Sequence, residues 1–261
     1  SNASIKKISH YDCGPLSHFS PMAGFSPAHH KNRRFRHMLV NTLKNKNFIL
    51  ALCIFLFLLL LAYVPNSKYF GYLQDDWNTL HVTEQRGPDF LIEHFSGDRP
   101  MRGYFGLVEY KLFGTNLHLY NFSALTWRLL DTIFIFLSLM LIWPQKWSAN
   151  ILICSLIIVY PGFHEQPHVV DYQAQFVSRM MFSLSLLLGL VAYFSRKKWL
   201  SILLVAIALI SAQICFGLME YYIGMEALRL ILFIILFIHM RKKIFTFRNI
   251  SFVGVFLVNA F

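Results

Sequence analysis

Two adjacent acidic residues, Asp75 and Asp76, lie just after the first long apolar segment of the chain, residues 48–64. A carboxylate at a membrane surface can act as a general base toward a sugar hydroxyl or hold a divalent cation. Adjacent residues do not share a helix face, so we expect only one of the two to point fully into a cleft. Asp75 is the preferred base, because Asp76 directly precedes the segment WNTLH and is better placed to cap a helix. The alternative is that both acids are solvated at headgroup level.

Three further residues in the same region are candidates for holding a substrate. Trp77 either stacks on the apolar face of a sugar or anchors the segment at the membrane interface. Arg99 and Arg102 carry planar guanidinium groups, which bind phosphate through two parallel hydrogen bonds. We expect the two arginines to hold a lipid phosphate; alternatively, they pair with Asp98 or with phospholipid headgroups.

A second polar cluster contains His164, Glu165, His168 and Asp171. The two histidines are four residues apart, which is the spacing of two metal ligands on one helix face. Pro167 lies between them and argues against a regular helix. We therefore expect this cluster to line a polar cleft, with metal binding as the alternative.

Several charged residues fall inside the predicted membrane spans, where charges face the interior of the bundle or a cavity. Arg128 and Asp131 are three residues apart and are expected to pair on one helix face, as are Glu226 and Arg229. Arg179 has no obvious local partner, and for it we favour binding of an anionic headgroup.

The composition is that of a polytopic membrane protein. The chain has 261 residues, of which 56% are hydrophobic and 14% charged, against about 25% charged in soluble domains. The net charge of +11 comes from short basic clusters between apolar segments, so nucleic acid is not an expected partner. The four cysteines have no metal-ligand spacing and support neither a zinc site nor a disulfide framework.

The apolar segments predict an all-α fold, a polytopic transmembrane helix bundle with a partly helical first loop. Residues 1–47 form a tail, for which the alternatives are that it is disordered or that the residues before Met38 are not native, and residues 48–261 form the transmembrane domain. The chain is expected to be the N-terminal part of a longer protein. The predicted spans are residues 48–64, 118–142, 150–163, 176–194, 200–218 and 223–240, with a seventh beginning at residue 250.

The basic residues predict the orientation of the bundle. Lysine and arginine concentrate in residues 31–46, at Lys146, and in residues 196–198 and 241–248, which an alternating topology places on one side. This side is assigned to the cytoplasm, together with the N-terminus. The long loop 65–117 then faces outward, and its segment YFGLVEYKLFG is expected to form an amphipathic helix in the membrane interface. In a bacterium the protein would lie in the inner membrane.

These features together resemble the C-type glycosyltransferase superfamily, which includes protein O-mannosyltransferases and aminoarabinose transferases. The motifs that carry the resemblance are Asp75-Asp76, Arg99-Pro100, YFGLVEYKLFG, NLHLYNFSALTWRLLD, His164 and Arg179. One departure is Trp127-Arg128, at a place where related sequences commonly have a histidine.

The resemblance implies a membrane glycosyltransferase that moves a sugar from a polyprenyl- or dolichyl-phosphate donor to an acceptor on the outer face. Asp75 and Asp76 are then catalytic. The expected donor- or substrate-binding residues are Trp77, Arg99, Arg102, His164, Glu165, His168 and Arg179. No cofactor is fixed by these residues, and a divalent cation on the acid pair is left open. The competing interpretation is a transporter or flippase of lipid-linked sugars, motivated by the charged pairs inside the spans, although matching Gly/Pro-interrupted halves are not seen.

Overall fold

The computed structural model describes residues 46–67, 74–160, 169–195 and 197–240, and within these ranges the chain is helical and contains no strand. The predicted all-α class is therefore confirmed. A short 3-10 turn, Glu220–Tyr222, separates the last two helices. The helices are α1 (Lys46–Ser67), α2 (Gln74–Arg86), α3 (Phe90–Phe95), α4 (Pro100–Phe113), α5 (Leu117–Ile142), α6 (Trp147–Val159), α7 (Gln173–Phe194), α8 (Lys198–Leu218) and α9 (Ile223–Met240).

Four helices among the described residues are long and apolar enough to cross a membrane, namely α1, α5, α7 and α8. They match four of the predicted spans, as expected for a multi-pass integral membrane protein. The predicted third span, 150–163, is instead the short helix α6, whose 13 residues reach only ~20 Å against a hydrocarbon core of ~30 Å. Helix α9 covers the predicted sixth span. The predicted seventh span and the N-terminal tail up to residue 45 lie outside the described residues.

Helix α7 is the centre of the bundle and α1 lies at its edge. Helix α7 packs against α5 and α8. Of the residues in its apolar segment, 67% are buried inside the protein, whereas the figure for α1 is 17%. Helix α1 packs against α5 and α6, where the rings of Phe55 and Phe136 meet edge to face at 5.3 Å. The opposite face of α1 exposes Phe57 and Leu61. An apolar helix face of this kind suits lipid rather than water.

The first loop is helical from residue 74 onward, which confirms the expected partly helical loop. Gly87 follows α2 with φ 88° and Gly114 follows α4 with φ 57°, in the left-handed region that glycine adopts without strain. Pro100 occupies the start of α4, where its missing N–H costs nothing. Asn116 caps α5 by accepting a hydrogen bond from the backbone N–H of His118 at 3.1 Å. These turns bring α2, α3 and α4 together at one end of the bundle.

Helix α4 packs against α3 with its polar face inward. A side chain at Gly103 would place its Cβ 2.8 Å from the carbonyl oxygen of Leu91, so only glycine allows this approach. The buried face of α4 carries Arg102 and Glu109. Its exposed face carries three large apolar side chains at four-residue spacing, Tyr104, Val108 and Leu112. A helix at a water-facing surface buries its apolar face and exposes its polar face, whereas α4 does the opposite. This suits the position in the membrane interface that was predicted for this segment.

Candidate functional site

Three segments that the sequence places on one side of the bundle contact each other in the structure. Asp76 of α2 and Arg102 of α4 both bind Asp171, which lies just before α7. Arg99, at the start of α4, binds Glu220 in the turn between α8 and α9. Three charged residues of the first loop, Asp76, Arg99 and Arg102, are therefore fixed to the end of the bundle.

Asp76 is the acid that points inward. Its side chain is fully buried, and its Oδ1 accepts a hydrogen bond of 2.7 Å from the backbone N–H of Asp171. Asp75 is exposed, because one residue along a helix turns the side chain by about 100°. Helix α2 begins at Gln74, so Asp76 lies inside its first turn rather than ahead of it. The prediction that Asp75 faces the cleft while Asp76 caps the helix is therefore wrong.

Arg102 holds the other side of Asp171. Its Nη2 donates to the carbonyl oxygen of Asp171 at 2.9 Å and also forms an ion pair with the Asp171 carboxylate. The guanidinium carbon lies 4.2 Å from the ring centroid of Phe95, a cation–π distance. Asp171 thus joins α2 to α4, with Asp76 bound to its backbone N–H and Arg102 bound to its carbonyl oxygen and carboxylate.

A small cavity of about 30 Å³ lies beside this network, and Glu109 lines it together with Arg102, Asp171, Thr83 and Tyr120. The volume is enough for one water molecule. The side chain of Glu109 is buried, and burial raises the pKa of this carboxyl group well above its ordinary value of 4.5. Burial therefore favours the protonated form of Glu109, and a protonated carboxyl group can donate a hydrogen bond into the cavity as well as accept one.

Arg99 and Glu220 form a two-pronged ion pair. The Nε and Nη2 atoms of Arg99 each lie 2.8 Å from a carboxylate oxygen of Glu220. The hydrogen bonds between them raise the pKa of Arg99 and lower the pKa of Glu220. This pair ties the first loop to the turn after α8. Sequence reasoning missed Glu220 as a partner, although an alternating topology puts the short segment between the fifth and sixth predicted spans on the same side as the first loop.

The sequence shows no local partner for Arg179, but in the structure Arg179 pairs with a residue on another helix. Its Nε lies 2.7 Å from Oδ2 of Asp131, and the hydroxyl of Ser183 donates to the other oxygen of that carboxylate. Asp131 therefore binds a guanidinium from another helix, and the charge of Arg128, with which it was expected to pair, also acts on its carboxylate. The guanidinium carbon of Arg128 lies 4.3 Å from the ring centroid of Tyr63. The bond between α5 and α7 fixes the helix that follows Asp171.

The second intramembrane pair is as expected. Arg229 Nη2 lies 3.0 Å from Oε1 of Glu226, three residues earlier on α9, and both side chains are buried. The guanidinium carbon of Arg229 also lies 5.1 Å from the ring centroid of Phe182 on α7. This pair therefore joins α9 to the centre of the bundle. It is separate from the hydrogen-bonded set of Asp76, Arg102 and Asp171, which we call the Asp76 network.

Trp77 lies on the outer surface of α2. Its side chain is 56% exposed, and its ring is parallel to that of His81 with the centroids 5.5 Å apart. His164, Glu165 and His168 lie outside the described residues. Within the described ranges no group of three or more His, Cys, Asp or Glu side chains is placed to hold a metal ion. Asp75 and Asp76 diverge, so they do not form a shared pair of cation ligands.

No protein-family model matches the chain, and neither a curated protein nor a solved structure shows significant similarity to it.

Proposed function

We propose that the protein is a membrane glycosyltransferase that moves a sugar from a polyprenyl-phosphate donor to an acceptor. The observation that carries this proposal is the buried carboxylate of Asp76, which is held by Asp171 next to the guanidinium of Arg102. A buried acid beside a paired arginine, at the end of a membrane bundle, provides a base and an anion-binding group in one place. The motif resemblance supports the same reaction class.

The proposed reaction is a single displacement at the anomeric carbon of the donor sugar. The acceptor hydroxyl attacks this carbon, and the bond from the carbon to the phosphate oxygen breaks. Asp76 takes the hydroxyl proton, and polyprenyl phosphate leaves with the bonding electrons. Phosphate is a good leaving group, so the reaction needs a positioned base more than a strong acid. Asp76 is favoured over Asp75 as the base because its side chain is bound to Asp171 inside the network, whereas the side chain of Asp75 is exposed to solvent.

Arg102 is the best placed of the three arginines to bind the donor phosphate. A guanidinium has five N–H donors, and Arg102 binds Asp171 through Nη2, so it has further donors for a phosphate. Arg99 and Arg179 each bind a carboxylate, Glu220 and Asp131 respectively, which fixes their orientation. We retain both as donor-binding residues, together with His164, Glu165 and His168, whose side chains lie outside the described residues.

The proposed orientation places the N-terminus in the cytoplasm and the Asp76 network at the outer face, in the inner membrane if the source is bacterial. The support for this is the distribution of lysine and arginine in the sequence, where they concentrate in segments that an alternating topology assigns to the opposite side. The donor's polyprenyl chain would then lie in the bilayer beside the apolar face of α4.

The experiment that tests the reaction uses membranes containing the protein and polyprenyl-phosphate donors labelled in the sugar. A glycosyltransferase transfers the label to a covalent product and releases polyprenyl phosphate in equal amount. A flippase moves the intact donor across the bilayer without breaking the sugar–phosphate bond. Transport without release would favour the flippase and reject the enzyme.

A further inference from the structure

A second concave surface lies on α2, one helix turn from Asp76. Its volume is about 230 Å³. Five residues line it. Four lie on α2 with the spacing of a single helix face, and the fifth lies in the turn between α4 and α5. These residues are Trp77, Leu80, His81, Glu84 and Thr115, and we call this surface the α2 groove.

One wall of the α2 groove is aromatic. The rings of Trp77 and His81 are within 6° of parallel, and the His81 ring is hydrogen-bonded to Gln85 at 2.9 Å. Aromatic rings carry a negative face, which attracts the C–H groups on the apolar face of a sugar ring. Both side chains lie on a helix, so the aromatic wall is ordered before any ligand binds.

The remaining polar groups of the α2 groove suit hydroxyl groups. Glu84 and Thr115 are both exposed, and each offers an oxygen that accepts a hydrogen bond. None of the five lining residues is a lysine or an arginine, and Glu84 is acidic. A phosphate or another anion is therefore disfavoured here, whereas a neutral ring with several hydroxyl groups satisfies both walls.

The α2 groove adjoins the catalytic network. Leu80 lines both the groove and the cavity that contains Arg102, Glu109 and Asp171. The volume of the α2 groove lies below the ~300–1,000 Å³ of pockets for drug-sized ligands. The groove therefore suits one sugar ring rather than a long glycan or a polyprenyl chain.

We propose that the α2 groove is a binding site for a neutral sugar ring, and that this ring belongs to the acceptor. The assignment to an acceptor rests on the proposed function, whereas the binding of a neutral sugar does not. The two anionic partners of the reaction, donor phosphate and product phosphate, bind instead on the arginine side of Asp171.

The test measures binding of methyl glycosides of neutral hexoses and pentoses to the purified protein in detergent. Saturation-transfer NMR identifies the glycosides that bind, and a titration then gives the affinity. We expect Trp77→Ala to weaken binding about tenfold, Glu84→Gln to weaken it less, and Trp77→Phe to retain most of it. Trp199→Ala is the matched control, because Trp199 is 85% exposed at the far end of α8.

Absence of binding by every glycoside would overturn the proposal, as would parental affinity in Trp77→Ala. An equal loss in the Trp199→Ala control would also overturn it. Glycoside binding through Trp77 without any sugar transfer would reject the proposed function and leave the sugar site standing. Sugar transfer without glycoside binding would reject the sugar site and leave the proposed function standing.

Discussion

The backbone N–H of Asp171 donates a 2.7 Å hydrogen bond to the carboxylate of Asp76, joining residues 95 positions apart in the chain. The carbonyl oxygen and carboxylate of Asp171 meanwhile bind Arg102. One residue therefore sets the positions of a buried acid and a buried cation. Because buried charged groups are costly unless paired, this geometry is expected to be sensitive to small changes.

Arg102→Lys is expected to weaken donor binding. Lysine keeps the positive charge but cannot hold Asp171 and a phosphate at once through a planar fork. A charge-assisted hydrogen bond contributes about 1.5–3 kcal/mol, so the donor affinity should fall by about tenfold or more. Binding of a polyprenyl-phosphate sugar to the purified protein measures this. Arg86→Lys is the control, since Arg86 pairs with Glu93 on the surface; an equal affinity for the Arg102 variant and the parent would reject the assignment.

Gly103→Ala is expected to lower stability by about 1–3 kcal/mol, because its Cβ would lie 2.8 Å from the carbonyl oxygen of Leu91 and 2.9 Å from the Cα of Ile92. Gly106→Ala is the matched control on the same helix, where the nearest atom is 3.6 Å away. The control gains helix propensity without a clash and should be at least as stable as the parent. Thermal unfolding in detergent compares the two, and an equal midpoint for both variants would contradict the packing of α4 on α3.

Glu109→Gln is expected to change how stability depends on pH. Burial raises the pKa of Glu109 above its ordinary value of 4.5, so the folded protein binds a proton that the unfolded chain releases. Stability contributed by this group is complete below the ordinary pKa and is lost as pH rises toward the folded pKa. Glutamine cannot ionise, so the variant should lose less stability than the parent as pH rises above the ordinary value of 4.5.

The control for this pH experiment is Glu93→Gln, which removes an exposed carboxylate on α3. Its melting temperature should follow that of the parent across the same range. Parallel curves for Glu109→Gln and the parent would mean that Glu109 is ionised in the folded protein.

Cysteine labelling can determine on which side of the membrane the first loop lies. Ser96→Cys, at an exposed position after α3, should react in intact cells with a thiol reagent that does not cross membranes. Ser148→Cys is equally exposed at the start of α6, at the other end of the bundle, and should react only after permeabilisation. The four native cysteines are replaced in both variants. The reverse pattern would place the Asp76 network in the cytoplasm.

The helices of the bundle were predictable from the sequence, whereas the pairing of its charges was only partly so. Charge-free segments such as residues 48–64 specify membrane spans directly, because no other environment suits them. Asp131 shows the limit. Local spacing pairs it with Arg128 on the same helix, yet it binds Arg179, because α7 packs on α5 and brings a guanidinium from another helix within 2.7 Å. Spacing along one helix does not encode the register between two.

The expectation that Asp75 rather than Asp76 faces inward was wrong for a related reason. Both residues have the same chemistry, and the helix start decides which one is buried. The sequence suggested a helix beginning after Asp76, whereas α2 begins at Gln74 and turns Asp76 inward. The observed helix start lies three residues before the expected one at Trp77, which moves Asp76 from the cap into the first turn of the helix.

The measurement that tests the central claim most directly compares Asp76→Asn with Asp75→Asn. Asparagine at position 76 can still accept the hydrogen bond from Asp171, so the fold is expected to survive while the base is lost. Sugar transfer from a polyprenyl-phosphate donor is measured in membranes that contain equal amounts of each folded variant. The account predicts that Asp76→Asn loses about 10²–10⁴-fold in rate and that Asp75→Asn stays close to the parent. Parental transfer by Asp76→Asn, or an equal loss in Asp75→Asn, would contradict it.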